Sequence, residues 1–344
     1  PKLDNTVTAS GEDKQHVWVS DSDSWTVITY GRVSGYKFGD VNLNKVFDPE
    51  EIGLQNWLIV LNATLEEGGY DNRTRLTDSN GYYEFTRLKP GFYILREVLL
   101  TGWMNVTTSS YSFTIIGGEQ LTGEDGLDFG NVPLGRISGY KWCDEYLDGI
   151  FDTDESPIAN WTVHLDMELP SGGILPMTAM TDINGYYEFV NLTPAVYYLY
   201  EIIDPNVWFC TAAPPFKLDL SALEQFNLTD MNFGNVKYGK ISGFKFLDLN
   251  FNGYKDGDES GLANWTITLV GTLNNGTPYG PVSTLTDVNG YYEFALLLPG
   301  IYTLSEILKP GWKNTTPHTI PNIVITCGYH YTCGKFGNIP IGSI

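Results

Sequence analysis

The sequence predicts an all-β chain of three tandem antiparallel sandwiches. Three observations predict it. One unit recurs every 104 residues, the hydrophobic period inside each unit is two, and NG turns or Pro-Gly pairs separate the apolar runs. "RVSGYKFGD", "RISGYKWCD" and "KISGFKFLD" begin at Arg32, Arg136 and Lys240. "TDSNGYYEF", "TDINGYYEF" and "TDVNGYYEF" begin at Thr77, Thr181 and Thr286, and an "FGN" motif closes each unit. The predicted domains are 32–135, 136–239 and 240–344, after a leader at 1–31. A unit of that length is a full domain, so the repeats are beads and not solenoid turns.

The elements follow in order. In the leader, "HVWVSDSDSWTVITYG" alternates Val17 and Val19, then Trp25, Val27 and Thr29, but it is too short to bury a core. It must pair with something. It either covers the edge of the first unit or adds as a strand to the last unit of a neighbouring chain. The last residues, "IPIGSI", stop where a fourth "ISGYK" strand would begin, so the second option predicts head-to-tail assembly of copies of the chain. Inside the first unit Trp57, Ile59 and Leu61 share one parity, and Tyr93, Leu95 and Glu97 share another face. Trp161, Val163 and Leu165 repeat the alternation in the second unit. Asp78, Asp182 and Asp287 open Asp-x-Asn-Gly turns. Only "LDLSALEQF" carries a weak helical period.

Composition narrows the function. Of 344 residues, 41 are acidic and 20 basic, a formal net charge of -21. A nucleic-acid binder needs a basic face, so that class is excluded. With 42% hydrophobic and 14% aromatic residues the chain is too apolar for a disordered acidic tail. No apolar run reaches the length of a membrane helix, and no signal peptide stands at Pro1, which reads as a soluble chain, either mature or trimmed.

The order G-x-K-F-x-D-x-N, then T-D-x-N-G-Y-Y-x-F, then L-x-P-G-x-Y-x-L-x-E resembles the B-type repeats of serine-aspartate-repeat adhesins. It is also similar to the wider collagen-adhesin B-type domains. The resemblance covers residues 32–342. It implies prealbumin-like or immunoglobulin-like sandwiches on a secreted or cell-surface protein. Such domains usually serve as stalks, spacers or fibre subunits.

Independently of that family, an acidic loop has ligand spacing. Asp248, Asn250, Asn252, Asp256 and Glu259 occupy positions 1, 3, 5, 9 and 12 of a twelve-residue loop, with Gly253 at position 6. The first unit supplies Asp40, Asn42, Asn44, Asp48 and Glu51, with Lys45 where glycine is expected. The second supplies Asp144, Asp148, Asp152 and Glu155, and Tyr146 displaces one oxygen ligand. Hard oxygen donors without His or Cys predict calcium; the alternative is a solvated acidic loop.

A lysine, a glutamate and an asparagine also recur at fixed offsets: Lys37, Glu97 and Asn131; Lys141, Glu201 and Asn235; Lys245, Glu306 and Asn338. Parity puts Glu97 on the apolar face, where a carboxyl needs a proton or a partner. In collagen-adhesin B-type domains such a trio forms an intramolecular isopeptide bond between Lys and Asn, promoted by the buried Glu. The resemblance therefore implies self-made amide bonds here. The alternative is a buried Lys–Glu ion pair, or a lysine facing water, because Tyr36 and Phe38 have the opposite parity to Lys37.

The four cysteines suggest disulfides 327–333, across "GYHYT", and 143–210, inside the second unit. His330 with Cys327 and Cys333 is an incomplete zinc set. Nine glycosylation sequons stand at Asn62, Asn72, Asn105, Asn160, Asn191, Asn227, Asn264, Asn275 and Asn314, which favours an exported protein from a host that glycosylates asparagine. No phosphate loop, nucleophile elbow or paired carboxylate lies outside the metal loops. The sequence thus predicts no enzyme beyond the self-modifying bond. It predicts a calcium-stabilised extracellular structural subunit of a filament, sheath or surface layer. The alternatives are an adhesin stalk whose exposed aromatics bind cell-surface glycans or a host protein, and a polysaccharide-binding accessory domain.

Overall fold

The structure is a computed structural model that describes residues 3–12, 18–169, 171–222 and 224–342; Val17 of the leader lies outside them. The chain divides into two compact units. One comprises Pro1–Arg136, Val190–Val196 and Asp219–Asn227; the other comprises Ile137–Phe189, Tyr197–Leu218 and Leu228–Ile344.

In the first unit the leader folds as a hairpin of β1 (Leu3–Glu12) and β2 (Trp18–Val27), paired from Leu3↔Val27 to Glu12↔Trp18. This corrects the expectation of a single strand seeking a partner. Residues 3–12 are polar and lack a clean alternation, so the sequence hid the strand that satisfies the other's main chain.

The first repeat runs through β3 (Gly31–Gly39), β4 (Leu58–Leu65), β5 (Tyr70–Leu76), β6 (Tyr82–Leu88), β7 (Gly91–Glu97), β8 (Trp103–Asn105), β9 (Ser110–Ile115), β10 (Gln120–Leu121) and β11 (Phe129–Pro133). One sheet has the order β10-β3-β11-β8 with β6 also on β3, and the other has β5-β4-β7-β9. Val33, Phe85 and Phe129 from the first sheet meet Ile59, Leu61, Tyr93 and Leu95 from the second in a solvent-free core. Each such side chain contributes about 1.5–3 kcal/mol by leaving water.

The second repeat continues as β12 (Gly135–Cys143), β13 (Ser156–Pro157), β14 (Thr162–Glu168), β15 (Ile174–Met180), β16 (Tyr186–Leu192), β17 (Val196–Glu201), β18 (Trp208–Ala212), β19 (Lys217–Asp219), β20 (Asn227–Leu228) and β21 (Phe233–Lys237). The third comprises β22 (Gly239–Leu247), β23 (Thr266–Leu273), β24 (Pro278–Leu285), β25 (Tyr291–Leu297), β26 (Gly300–Glu306), β27 (Trp312–Asn314), β28 (Thr319–Ile325) and β29 (His330–Pro340). Its sheets are β25-β22-β29-β27 and β24-β23-β26-β28, closed over Ile241, Phe294, Phe336, Ile267, Tyr302 and Leu304. The protein is therefore all-β, built of tandem β-sandwiches. Residues 218–226 form no helix among the described residues.

One part of the prediction needs correction. The sheets are not purely antiparallel, because the first and last long strands of every repeat pair in parallel: β3 with β11, β12 with β21 and β22 with β29. Hydrophobic period reports which face a residue takes, not the direction of its neighbour. That parallel pairing is what sets the buried lysine beside the asparagine.

Candidate functional site

Lys37 sits on β3 two residues before the position opposite Asn131, since Phe129↔Lys37 and Asn131↔Gly39 are in register. Lys37, Asn131, Lys141, Asn235, Lys245 and Asn338 are all 0% exposed. The parity of Phe38 does not expose Lys37, because both faces of β3 are covered. The lysine points between the sheets, while Phe38 is capped by Phe47 of the acidic loop, with ring centroids 4.9 Å apart. Trp142 and Phe151 repeat this stack at 5.3 Å.

The three sequence-predicted partners meet in space. Lys37 Nζ lies 3.5 Å from Glu97 Oε2 and donates to the Phe129 carbonyl at 2.9 Å. The Asn131 amide donates to Glu97 Oε2 at 3.0 Å. Lys141 Nζ is 3.2 Å from Glu201 Oε2, and Lys245 Nζ is 3.0 Å from Glu306 Oε2. Burial pulls each lysine down to about 8, against the opposing pull of its glutamate. Burial likewise pushes Glu97 and Glu306 up, with the facing lysine holding them partly down. Burial thus favours the neutral form of each lysine and of Glu97 and Glu306.

Two further residues complete the cluster, and the sequence reading missed both. Each lysine lies over a tryptophan: Lys37 over Trp57 at 4.5 Å, Lys141 over Trp161 at 4.9 Å, and Lys245 over Trp265 at 4.4 Å. The recurrence of "NW" at 56, 160 and 264 was the available signal. On the other side, the last strand's Asn faces a residue of the short neighbouring strand. The pairs are Asn131↔Asn105, Asn235↔Cys210 and Asn338↔Asn314. A bulge follows that residue each time: Val106 and Thr107 share the Gly130 carbonyl, Thr315 and Thr316 share that of Gly337, and the register slips between Cys210 and Ala212.

The Asp-x-Asn-Gly turn braces the lysine strand. Asp78 Oδ1 accepts from the Asn80 and Tyr82 amides at 2.9 Å, and the Lys37 amide donates to the Gly81 carbonyl at 2.8 Å. Gly81 has φ 76°, and a Cβ there would strike the Lys37 carbonyl, so only glycine fits.

The acidic loops curl as their spacing requires. In the first, the fully buried Asp40 accepts from Asn44 and Lys45 amides at 3.0 and 2.8 Å. The Asn42 and Asn44 side chains both donate to Asp48 Oδ2, at 2.8 and 2.7 Å, and Glu51 accepts from Val41 and Asp48 amides. The third loop repeats every contact through Asp248, Asn250, Asn252, Asp256 and Glu259. Lys45 holds φ 70° where Gly149 and Gly253 hold 75° and 73°, a left-handed backbone that costs a lysine about 1–2 kcal/mol. In the second loop Asp144 and Glu155 keep their places, but Tyr146 donates its hydroxyl to Asp154 at 2.6 Å and no side-chain amide holds Asp152. The first and third loops each carry five oxygen-bearing side chains of the hard-donor type a divalent cation takes, and they are held here by hydrogen bonds within the loop.

The predicted disulfides are corrected. The bond joins Cys143 to Cys327, with Cα atoms 6.5 Å apart, and leaves Cys210 and Cys333 as free thiols. Cys143 and Cys210 both stand opposite Asn235, on the strands to either side of it. Two strand spacings are about 9.6 Å, beyond the reach of a disulfide. Cys327, already bonded, is lost to Cys333. Two predicted glycosylation positions are also corrected. Asn314 is half-buried and donates its side-chain amide to the buried Glu306, and the Asn105 side-chain oxygen is buried. Both belong to the lysine cluster, which no glycan can enter. Asn72, Asn160, Asn191, Asn227, Asn264 and Asn275 are exposed, and Asn62 donates to Asn72 Oδ1 at 2.6 Å.

The family model described as "SdrD B-like domain" matches residues 135–215 and 239–322. The second and third repeats are SdrD B-like domains. The first keeps the same motifs at the same spacing, so the chain is a tandem of B-type repeats. It is similar to serine-aspartate repeat-containing protein D of Staphylococcus aureus (strain Newman), 26% identical over 343 residues, covering 91% of this chain and 24% of that protein. Serine-aspartate repeat-containing protein F of Staphylococcus epidermidis is 26% identical, covering 88% and 19%. Colossin-A of Dictyostelium discoideum is 27% identical, covering 70% and 2%. The chain therefore spans about a quarter or less of the curated relatives it matches. Among solved structures it is similar to the Bacillus anthracis TIE protein, at TM-score 0.34 and 18% identity over 97% of this chain and 58% of that one. It is also similar to BcpA, the major pilin subunit of Bacillus cereus, at 0.30 and 11% over 90% and 99%. This SdrD B-like tandem is an extracellular, cell-surface module. No helix among the described residues is long and apolar enough to cross a membrane.

Proposed function

We propose that the chain is a rigid structural segment of a cell-surface filament, sheath or surface layer, stapled inside each repeat by a Lys–Asn isopeptide bond. The observation that carries this reading is the same buried Lys–Glu–Asn cluster in all three repeats. The neutral lysine amine attacks the asparagine side-chain carbonyl carbon, the new C–N bond forms, and ammonia leaves. The glutamate takes the proton from the amine and delivers it to the departing nitrogen. The bond ties the first strand of a sandwich to its last, so a pull applied between repeats is borne by a covalent link. Beyond this single self-directed turnover the chain is no enzyme. Peptide mapping tests the reading: each bond removes the mass of one ammonia and leaves a branched Lys–Asn peptide. Unmodified peptides from all three repeats would refute it.

Calcium is the second element of this reading. The first and third loops would hold the ion through Asp40, Asn42, Asn44, Asp48 and Glu51 and through Asp248, Asn250, Asn252, Asp256 and Glu259. The second, with Tyr146 in place of a ligand, would hold it more weakly. Head-to-tail assembly of copies of the chain is the third element. A two-stranded hairpin is marginal alone, and β1–β2 keeps an unpaired edge on each strand for strand addition. Electron microscopy of the intact chain and of one lacking residues 1–31 tests it: filaments only from the intact chain support assembly through the hairpin.

An adhesive role has its own observation. Tyr36 and Tyr82 sit 5.4 Å apart, Tyr140 and Tyr186 also 5.4 Å, and Phe244 and Tyr291 5.5 Å, with Tyr36 and Tyr140 each 37% exposed. Rings spaced along a chain suit stacking on cell-surface glycans. Glycan binding that survives Tyr36→Ala with Tyr140→Ala would discard this role.

A further inference from the structure

In the first and third repeats the position facing the last strand's asparagine is another asparagine; in the second it is Cys210. Cys210 and Asn235 are direct antiparallel partners, so their side chains rise on one face about 5 Å apart at Cβ. The bulge at Thr211 immediately follows and sets the angle of that face. Asn235 is fully buried, and neither its side-chain oxygen nor its nitrogen has a hydrogen-bond partner, as is also true of Asn338, whereas Asn131 is held by Glu97. The Cys210 thiol lies within electrostatic reach of both Glu201 and Lys141, and it is accessible from solvent. A nucleophile, a base, an amine and an unheld carboxamide thus meet in one place.

We propose that Cys210 is a nucleophilic relay for the second repeat, carrying the acyl group of Asn235 as a thioester before Lys141 receives it. This rests on the isopeptide reading. In the first step the Cys210 sulfur attacks the Asn235 side-chain carbon. The S–C bond forms, the C–N bond breaks, and ammonia leaves with the thiol proton, passed through Glu201. Burial and the Glu201 carboxylate push the thiol up; the thiol donates to the Ala212 carbonyl at 3.7 Å, and Glu201 is the base that takes its proton as the sulfur attacks. In the second step the Lys141 amine attacks the thioester carbon, the C–S bond breaks, and the amine proton returns to the sulfur. The net change equals the direct reaction, with nothing oxidised or reduced, and the thiol is regenerated.

The test uses the full chain synthesised in a cell-free system and chased by peptide mapping, with methylamine as the external amine. Cys210→Ser, and Cys210→Asn, which restores the residue of the other repeats, should form the Lys141–Asn235 bond several-fold more slowly. The Lys37–Asn131 and Lys245–Asn338 bonds should form at unchanged rates and serve as internal clocks. In a Lys141→Met chain methylamine should appear on Asn235, and it should not when Cys210→Ser is added. Melting curves confirm that each variant is folded, and where Lys141→Met is not, methylamine competition in the unaltered chain supplies the same readout. Equal rates with and without the thiol overturn the proposal. So does absence of methylamine on Asn235 in a folded chain that keeps Cys210. If no repeat forms a Lys–Asn bond, the isopeptide reading has failed, a result distinct from failure of the relay alone.

Discussion

Lys37 and Glu97 face each other across the two sheets of the first repeat, 3.5 Å apart, and neither side chain reaches solvent. The lysine comes from the strand that opens the repeat and the glutamate from β7 in the opposite sheet. Closing the sandwich is therefore what assembles the pair, and the chemistry waits for the fold. Removing the carboxyl while keeping its shape separates the two. Glu97→Gln should leave the Lys37–Asn131 bond unformed, with the ammonia retained in that repeat alone. It should also lower stability, since a buried charge left without its partner costs about 3–5 kcal/mol. Mass mapping and a melting curve on the same sample check both; a normal bond in that variant would remove Glu97 from the chemistry.

The buried lysines make stability depend on pH only while they are free amines. Each is held at about 8 in the folded chain against an ordinary 10.5. Between those values the unfolded chain binds more protons, so stability rises with pH across that window. The gain is at most about 3 kcal/mol per free lysine. The raised Glu97 and Glu306 act in the opposite sense, and lower down: they favour the folded state in acid, and that contribution fades as pH climbs through their folded values. An amide does not titrate. A chain carrying Asn131→Ala, Asn235→Ala and Asn338→Ala should gain stability from pH 8 to 10.5, while the bonded chain stays flat there. Denaturant midpoints across that range measure it, and identical slopes in the two chains would contradict the bond.

Much of this arrangement was legible in the sequence because it recurs. Fixed offsets gave the lysine, glutamate and asparagine, and the parity of Tyr93, Leu95 and Glu97 placed the carboxyl on the core face. The burial of Lys37 was harder to read. The alternation around Tyr36 and Phe38 argues for the opposite face, and only the Phe47 ring folding back from the acidic loop explains why both faces are covered. Asn105 and Asn314 looked like glycan acceptors because a sequon is three letters long and says nothing of a neighbour that is distant in sequence. The parallel pairing of first and last strands, and with it the geometry that separates Cys143 from Cys210, has no periodic signature at all.

The acidic loops give a graded expectation. Excess chelator should lower the melting temperature of the chain, because a ligand that binds only the folded state stabilises it by about 2.7 kcal/mol at a hundred times its dissociation constant. Asp248→Asn should weaken binding more than Asp152→Asn, since Asp248 is buried at the head of a loop with all five oxygen-bearing side chains, whereas the second loop has lost one to Tyr146. Calcium titration by calorimetry on the two variants checks the order. A melting curve indifferent to chelator would reduce the loops to acidic turns.

The cysteine pairing is open to the most direct measurement. Cys143 and Cys327 are 184 residues apart in sequence, so their bond restrains a very long loop of the unfolded chain. On loop-closure entropy alone that is worth up to about 5 kcal/mol. Native protein treated with a thiol-alkylating reagent should be labelled at Cys210 and Cys333, the two exposed free cysteines. Cys143 and Cys327 should take label only after reduction. Cys143→Ser should free Cys327 for labelling and lower the melting temperature, while Cys333→Ser should do neither. Label on Cys143 with none on Cys333 in the unreduced native chain, or a Cys333→Ser variant as unstable as Cys143→Ser, would return the pairing to 327–333. The geometry opposes that outcome: Cys143 ends the strand that carries Lys141, and its bond anchors that strand's end to the turn before β29.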